Sequence, residues 1–243
     1  MKTNLKTTLD FLGKLEAHNN REWFEKNRAE YEQAREAFEI FVDTLIRDYG
    51  RVENLKGVSA KDCIFRIYRD VRFAKDKSPY KTNMGAEIVA GGRKTGRVGY
   101  YVHVAPYDES MIAGGLYMPS GEQIAKFRQA IARNAAPFKK IIAAKDFKKY
   151  FGTLIAHPLE TAESPKRKPH PLQVAALEPA KLKTAPMGYA RDHPEIELLK
   201  WKQVVVMHRI SDKQVFAPNL ASYTVGVFEA MKPFLDYLNS VVI

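Results

Sequence analysis

Residues Arg66 to Lys81 (RIYRDVRFAKDKSPYK) gather six cations, Arg66, Arg69, Arg72, Lys75, Lys77 and Lys81, around two carboxylates, Asp70 and Asp76, and two phenols, Tyr68 and Tyr80. A guanidinium fork meets carboxylate or phosphate oxygens two at a time and does not lose its charge. Cations in this excess leave capacity for a negatively charged guest. The chemistry they suggest is recognition of a phosphate- or carboxylate-bearing small molecule by Arg66, Tyr68, Arg72 and Lys77, with Tyr80 and Lys81 beside them and Arg191 and His193 brought in from a later loop. The competing account is an Arg–Asp–Arg ladder on a solvated surface, neutralising itself. A second group, Gly188-Tyr189-Ala190-Arg191-Asp192-His193-Pro194, offers Arg191 as an anion binder and His193 as a base that titrates near neutrality. Helix capping by Asp192 or His193, with Pro194 in the first turn, accounts for the same residues. Taken with Asp70 or Asp76 as acid–base partners, His193 makes a hydrolase or phosphoryl-processing enzyme the alternative reading. Nucleic-acid binding through the basic residues is a further one.

Other chemistries find little support. In Gly91-Gly92-Arg93-Lys94-Thr95-Gly96 the Lys-Thr precedes the last glycine instead of following it, so a hairpin turn is expected there and not a phosphate loop. The six histidines contain no i, i+4 pair, and a lone cysteine, Cys63, builds neither a zinc knuckle nor an internal disulfide. No metal is expected, although a site assembled from Asp70 or Asp76 with His193 is conceivable. No Gly-x-Ser-x-Gly elbow occurs, and nothing specifies a cofactor or an oligomeric state.

Those residues need a scaffold. At 243 residues with 45% hydrophobic composition the chain can bury a full core. No apolar run approaches a membrane span, and the basic N-terminus lacks the apolar stretch of a signal peptide. A cytoplasmic protein without membrane contact is expected. The net charge of +11 is uneven: residues 1–56 sum to −1 and the remainder to +12. That asymmetry favours an anionic partner for the later region, or else a generally basic surface.

Helical spacing predicts one helix over about Thr8–Ala17. A long second helix should start after Asn19 or Asn20, with Trp23, Tyr31, Ala34, Phe38, Phe41, Leu45 and Tyr49 as its packing stripe. Alternation, with Arg69 the exception on the apolar face, predicts a strand from Cys63 to Phe73, placing Arg66, Asp70 and Arg72 on the other face. Further strands are expected at Met84–Ala90, Val98–Ala105, Ser110–Met118 and Lys202–Ile210. Ser120 with Gln123 and Ser211 with Gln214 read as capping boxes. Helical pieces are expected near Pro137–Ala144, Asp146–Tyr150 and Glu195–Lys200, with a last helix over Leu220–Leu238 interrupted at Pro233. Residues 153–190, with Pro158, Pro165, Pro169, Pro171, Pro179 and Pro186 and the triplet Lys166-Arg167-Lys168, read as a long basic loop. The expected fold class is α+β: an antiparallel meander packed by N-terminal, central and C-terminal helices.

Several stretches together resemble a bacterial and fungal family known as domain of unknown function 2461. They are Phe11-Leu12 through His18-Asn19-Asn20-Arg21-Glu22-Trp23-Phe24; Phe65 to Phe73 with Asp76 to Asn83; Gly99-Tyr100-Tyr101-Val102-His103; Gly114 to Pro119; Tyr150-Phe151-Gly152; and Asp192-His193-Pro194 through Leu198-Leu199-Lys200. The resemblance implies a single domain over residues 1–243 and no particular activity. The Pro-rich stretch near 155–180 is longer than the family pattern, and Met187 stands where a cation would be expected.

Overall fold

A computed structural model describes residues 5–152 and 181–243. Most of the expected basic loop therefore lies outside the described residues. The chain divides into two compact units, Met1–Ile112 with His208–Glu229, and Ala113–Met207 with Ala230–Ile243.

In the first unit α1 (Lys6–Ala17) buries Leu9, Phe11, Leu12 and Leu15 and packs on α3 (Arg28–Tyr49). The long second helix expected from the sequence is broken in two. Its first part, α2 (Arg21–Lys26), is capped by Asn20, whose side chain accepts from Trp23 N. The break falls at Asn27, whose backbone N–H is shared between the Trp23 and Phe24 carbonyls and whose side-chain amide also donates to Trp23 O at 2.8 Å. Beyond it α3 carries the expected stripe, with Ala34, Phe38, Phe41, Leu45 and Tyr49 buried. A single turn, α4 (Ala60–Cys63), is capped by Ser59.

Strand β1 (Met84–Ile88) pairs antiparallel with β2 (Tyr100–Val104), Ala86 opposite Val102. Between them Arg93–Thr95 forms a 3-10 turn flanked by Gly92 and Gly96 at positive φ, as a hairpin connection requires. One face of the pair buries Ala86, Ile88, Tyr100, Val102 and Val104. There Tyr49 donates to the Tyr100 hydroxyl at 2.7 Å, and both rings meet Phe228.

The full sheet, which includes β3 (Ser110–Leu116) and β4 (Val204–Ile210), is antiparallel in the order β1-β2-β3-β4. Gly115 has φ 122°, and a Cβ there would collide with the Val204 carbonyl, so only glycine lets these two strands approach.

The second unit contains α5 (Gly121–Arg133), α6 (Ala136–Ala143), α7 (Lys145–Phe151) and α8 (Ile196–Leu199). The Ser120–Gln123 capping box forms as expected. Phe138 is fully buried, with Phe127, Trp201, Phe234 and Tyr237 all within 6.1 Å of its ring. After β4, α9 (Asp212–Val215) carries the Ser211–Gln214 box. The last helix, α10 (Leu220–Val242), contains Pro233 as an internal residue and extends beyond Leu238. The fold class is α+β. Among the described residues no helix is long and apolar enough to cross a membrane.

Candidate functional site

The segment expected as a strand over Cys63–Phe73 is not one, and the reason lies in its own side chains. Its backbone pairs only in pieces. Ile64 bridges Ala86, and Phe65 N donates to Gly85 O at 2.9 Å. Tyr68 bridges Tyr80, with Arg69 N donating to Pro79 O at 2.9 Å and Lys81 N to Ile67 O at 2.8 Å. At Asp70 the carboxylate accepts from Arg72 N, and at Asp76 it accepts from Ser78 N at 2.9 Å. These local turns offer the backbone partners that a ladder would otherwise supply, so the chain leaves the strand at Asp70 and returns near Ser78. Alternation then loses its meaning: Ile67 is buried, while Phe73 is 97% exposed.

Leaving the strand also redistributes the charges. Arg72 makes a bidentate pair with Asp70, at 2.9 and 2.7 Å, and holds that carboxyl below its usual range. Arg69 pairs with Asp76 at 2.5 Å and donates to Ser78 O. The hydroxyl and amide of Ser78, then Arg69, hold Asp76 far below the carboxylate range. Both acids are thus fixed as anions and are poorly suited to donate protons near neutrality. Lys77 donates to the Val71 and Arg72 carbonyls, fastening the loop on itself. Lys81 donates to Arg66 O at 2.9 Å and lies over the Phe65 ring, and burial, then the charge of Arg66, lowers its pKa. Tyr80 is buried and stacks on Phe24 with ring centroids 4.0 Å apart, so it serves the core. The shared Arg66–Asp70–Arg72 ladder does not form: Asp70 is spent on Arg72. Arg66 has no side-chain hydrogen bond or ion pair among the described residues.

Arg66 instead lines a cavity of about 220 Å³. With it are Tyr68 from the same segment, Tyr31 and Arg35 from α3, and Asn83 ahead of β1. Ile64, Phe65, Ile67 and Met84 supply apolar wall. Among the described residues no carboxylate lines it. Arg35 has Glu32 and Glu39 at helix-neighbour spacing, yet pairs with neither among the described residues, where Glu32 is taken by Arg28. Tyr31 is half-buried, and burial raises its phenol pKa against the opposing pull of Arg35. Asn83 is 7% exposed, and its amide nitrogen lies 3.3 Å from His103 Nδ1. Asn83 Oδ1 is buried without a hydrogen-bond partner.

Of the residues the sequence singled out, Arg66 and Tyr68 reach this cavity. Arg72, Lys77, Tyr80 and Lys81 frame the segment that carries them. Asp70 and Asp76 do not line it. Arg191 and His193 belong to the second unit, where Arg191 is exposed and His193 Nδ1 accepts from Glu195 N at 3.0 Å; Glu195 is the residue ahead of α8, and that helix has no side-chain cap from Asp192 or His193. Among the described residues no three His, Cys, Asp or Glu side chains group as metal ligands. The sequence reading missed Tyr31, Arg35 and Asn83. One signal was available for the helix pair, since Tyr31 and Arg35 stand four apart beside the packing stripe.

A family model described as conserved hypothetical protein, DUF2461, matches residues 7–237. The chain belongs to this family. The match takes in every DUF2461 residue that lines the cavity, from Tyr31 to Met84, as well as Arg191 and His193. No curated protein and no solved structure matches the chain.

Proposed function

We propose that this DUF2461 protein recognises a small anion, phosphate- or carboxylate-bearing, in the cavity between α3 and the Ile64–Tyr68 segment. One observation carries the reading. Among the described residues two arginines, Arg35 and Arg66, line a hollow that no acid lines, and neither has a carboxylate partner. Paired arginines are common on protein surfaces, but unpaired ones converging on a part-apolar cavity are what an anionic guest requires. The Tyr31 and Tyr68 hydroxyls add donors. The volume suits one small molecule and falls below the range of about 300 to 1,000 Å³ typical of drug-sized ligands. Hydrolysis or phosphoryl processing through Asp70, Asp76 and His193 is the weaker reading, because both aspartates are held as ion pairs away from the cavity. Arg191 and His193 have no assigned part in the binding.

Thermal-shift screening of phosphate- and carboxylate-bearing metabolites, followed by calorimetry, tests the assignment. A ligand present at about 100 times its dissociation constant should stabilise the protein by about 2.7 kcal/mol. Arg66→Ala and Arg35→Ala should each weaken binding by roughly 10- to 100-fold, the loss expected for a charged hydrogen bond. Two folded variants that bind every hit as well as the parent would refute the site.

A further inference from the structure

Charge and apolar surface differ in exposure around this cavity. Arg35 and Arg66, which line it, are exposed residues. Ile67 and Met84, which line it too, are at most 5% exposed, and neighbouring Ile64 is half-buried. The cations therefore stand on the solvent side and the aliphatic chains on the core side, and more of the cavity's surface is apolar than polar. Its two tyrosines are held from behind. The rings of Tyr31 and Tyr68 lie 5.0 and 6.3 Å from that of fully buried Phe24. A bare inorganic ion at the arginines would leave the aliphatic side wetted. Water there has few polar partners, and its displacement by an apolar group is favourable.

We infer that the guest is an amphiphilic anion: a carboxylate or phosphate head at Arg35 and Arg66, joined to a short alkyl or aryl body that lies inward on Ile64, Ile67 and Met84. The cavity's volume equals that of about seven waters at roughly 30 Å³ each, enough for a head group and a body of about four or five carbons but not for a nucleotide. Short-chain and arylalkyl acids and small alkyl phosphates belong to this class. Inorganic anions do not, and neither do molecules charged at both ends, because the inner charge would be stripped of water against an apolar wall. This rests on the anion-binding reading above and adds to it the apolar body and its direction.

Calorimetry on the unaltered full-length chain separates the two ideas. The probes are acetate, butyrate and hexanoate, then inorganic phosphate and butyl phosphate. In at least one of these series each added methylene should tighten binding by about two- to fourfold, as burial of a CH₂ group predicts. Where hexanoate binds, adipate, of equal carbon number but with a second carboxylate at its far end, should bind at least about tenfold more weakly. Arg66→Ala should weaken every member of a series by the same factor. Ile64→Ala should reduce the gain per methylene and leave the shortest member unchanged. Affinity that does not rise with chain length in either series, or adipate equal to hexanoate, with dependence on Arg66 retained, overturns the apolar body and its direction and leaves anion recognition standing. Binding of neither hexanoate nor either phosphate at millimolar concentration, or binding indifferent to both Arg66→Ala and Arg35→Ala, overturns both. The series in the unaltered chain decide the matter even if Ile64→Ala fails to fold.

Discussion

Cys63 shows how one atom's surroundings set its chemistry. It ends α4 at 2% exposure, and burial pushes its thiol up to about 11, Arg93 opposing only in part. The neutral thiol is therefore favoured in the folded state. Between about pH 9 and 11 the unfolded chain has released this proton and the folded chain still holds it, so stability must fall as pH rises. Across that window the folded protein should lose about 2 to 3 kcal/mol relative to Cys63→Ala. Urea midpoints for both proteins at pH 8, 9, 10 and 11 measure it, and parallel curves would mean that the site opens readily to water. The same burial makes Cys63 slow to alkylate in the native protein. Single atoms elsewhere behave alike. The Arg66 guanidinium matters because of a carboxylate partner it lacks among the described residues, which residue type alone does not reveal.

Between residue and molecule, the cavity depends on two irregular pieces of chain being tied to regular ones. Asn19 performs one of these ties. Its side-chain amide donates to Tyr80 O at 3.0 Å and accepts from Tyr80 N at 3.1 Å, imitating a strand neighbour for a residue that bridges Tyr68 on its other side. Adjacent Asn20 has a separate task, capping α2. Asn19→Ala should destabilise the protein by about 1 to 3 kcal/mol, since it strands two part-buried backbone groups. It should also speed amide exchange at Arg69 and Lys81, whose N–H groups bond Pro79 O and Ile67 O in the same patch. Asn20→Ala should cost about 1 kcal/mol and leave those two amides unchanged. Identical exchange in both variants would show that Asn19 does not hold the segment.

At the scale of the molecule, α10 supplies residues 220–229 to the first unit and 230–242 to the second. Pro233 has no N–H for Glu229 O, the last residue of the first unit's share, so the helix ladder is interrupted where one unit gives way to the other. Pro233 itself is exposed, while Met231, Phe234, Leu235 and Leu238 bury the helix's other face. Burial of that face holds the helix together across its weakest step. Restoring the missing bond without disturbing the core should therefore stabilise: Pro233→Ala is expected to raise the unfolding free energy by about 1 to 3 kcal/mol. An unchanged or lower urea midpoint would indicate that the proline fits a bend the fold requires. The net charge of +11 acts on this same scale, drawing small anions toward the protein without choosing among them.

What the sequence determined was everything written in short range. The α+β class, strands β1 to β4, the helix starts at Ser120 and Ser211, and the hairpin at Gly91–Gly96 all rest on patterns spanning a few residues, where a side chain's partner is its near neighbour in the chain. Tertiary structure alone decided the rest. It showed Asp70 and Asp76 turning the chain out of its expected strand, and it divided six cations into those already matched and those left over. It set Arg35 of a packing helix and Arg66, 31 positions along the chain, in the lining of one cavity. Whether a charged or polar group is spare depends on what surrounds it in space, and alternation along a chain carries no record of that.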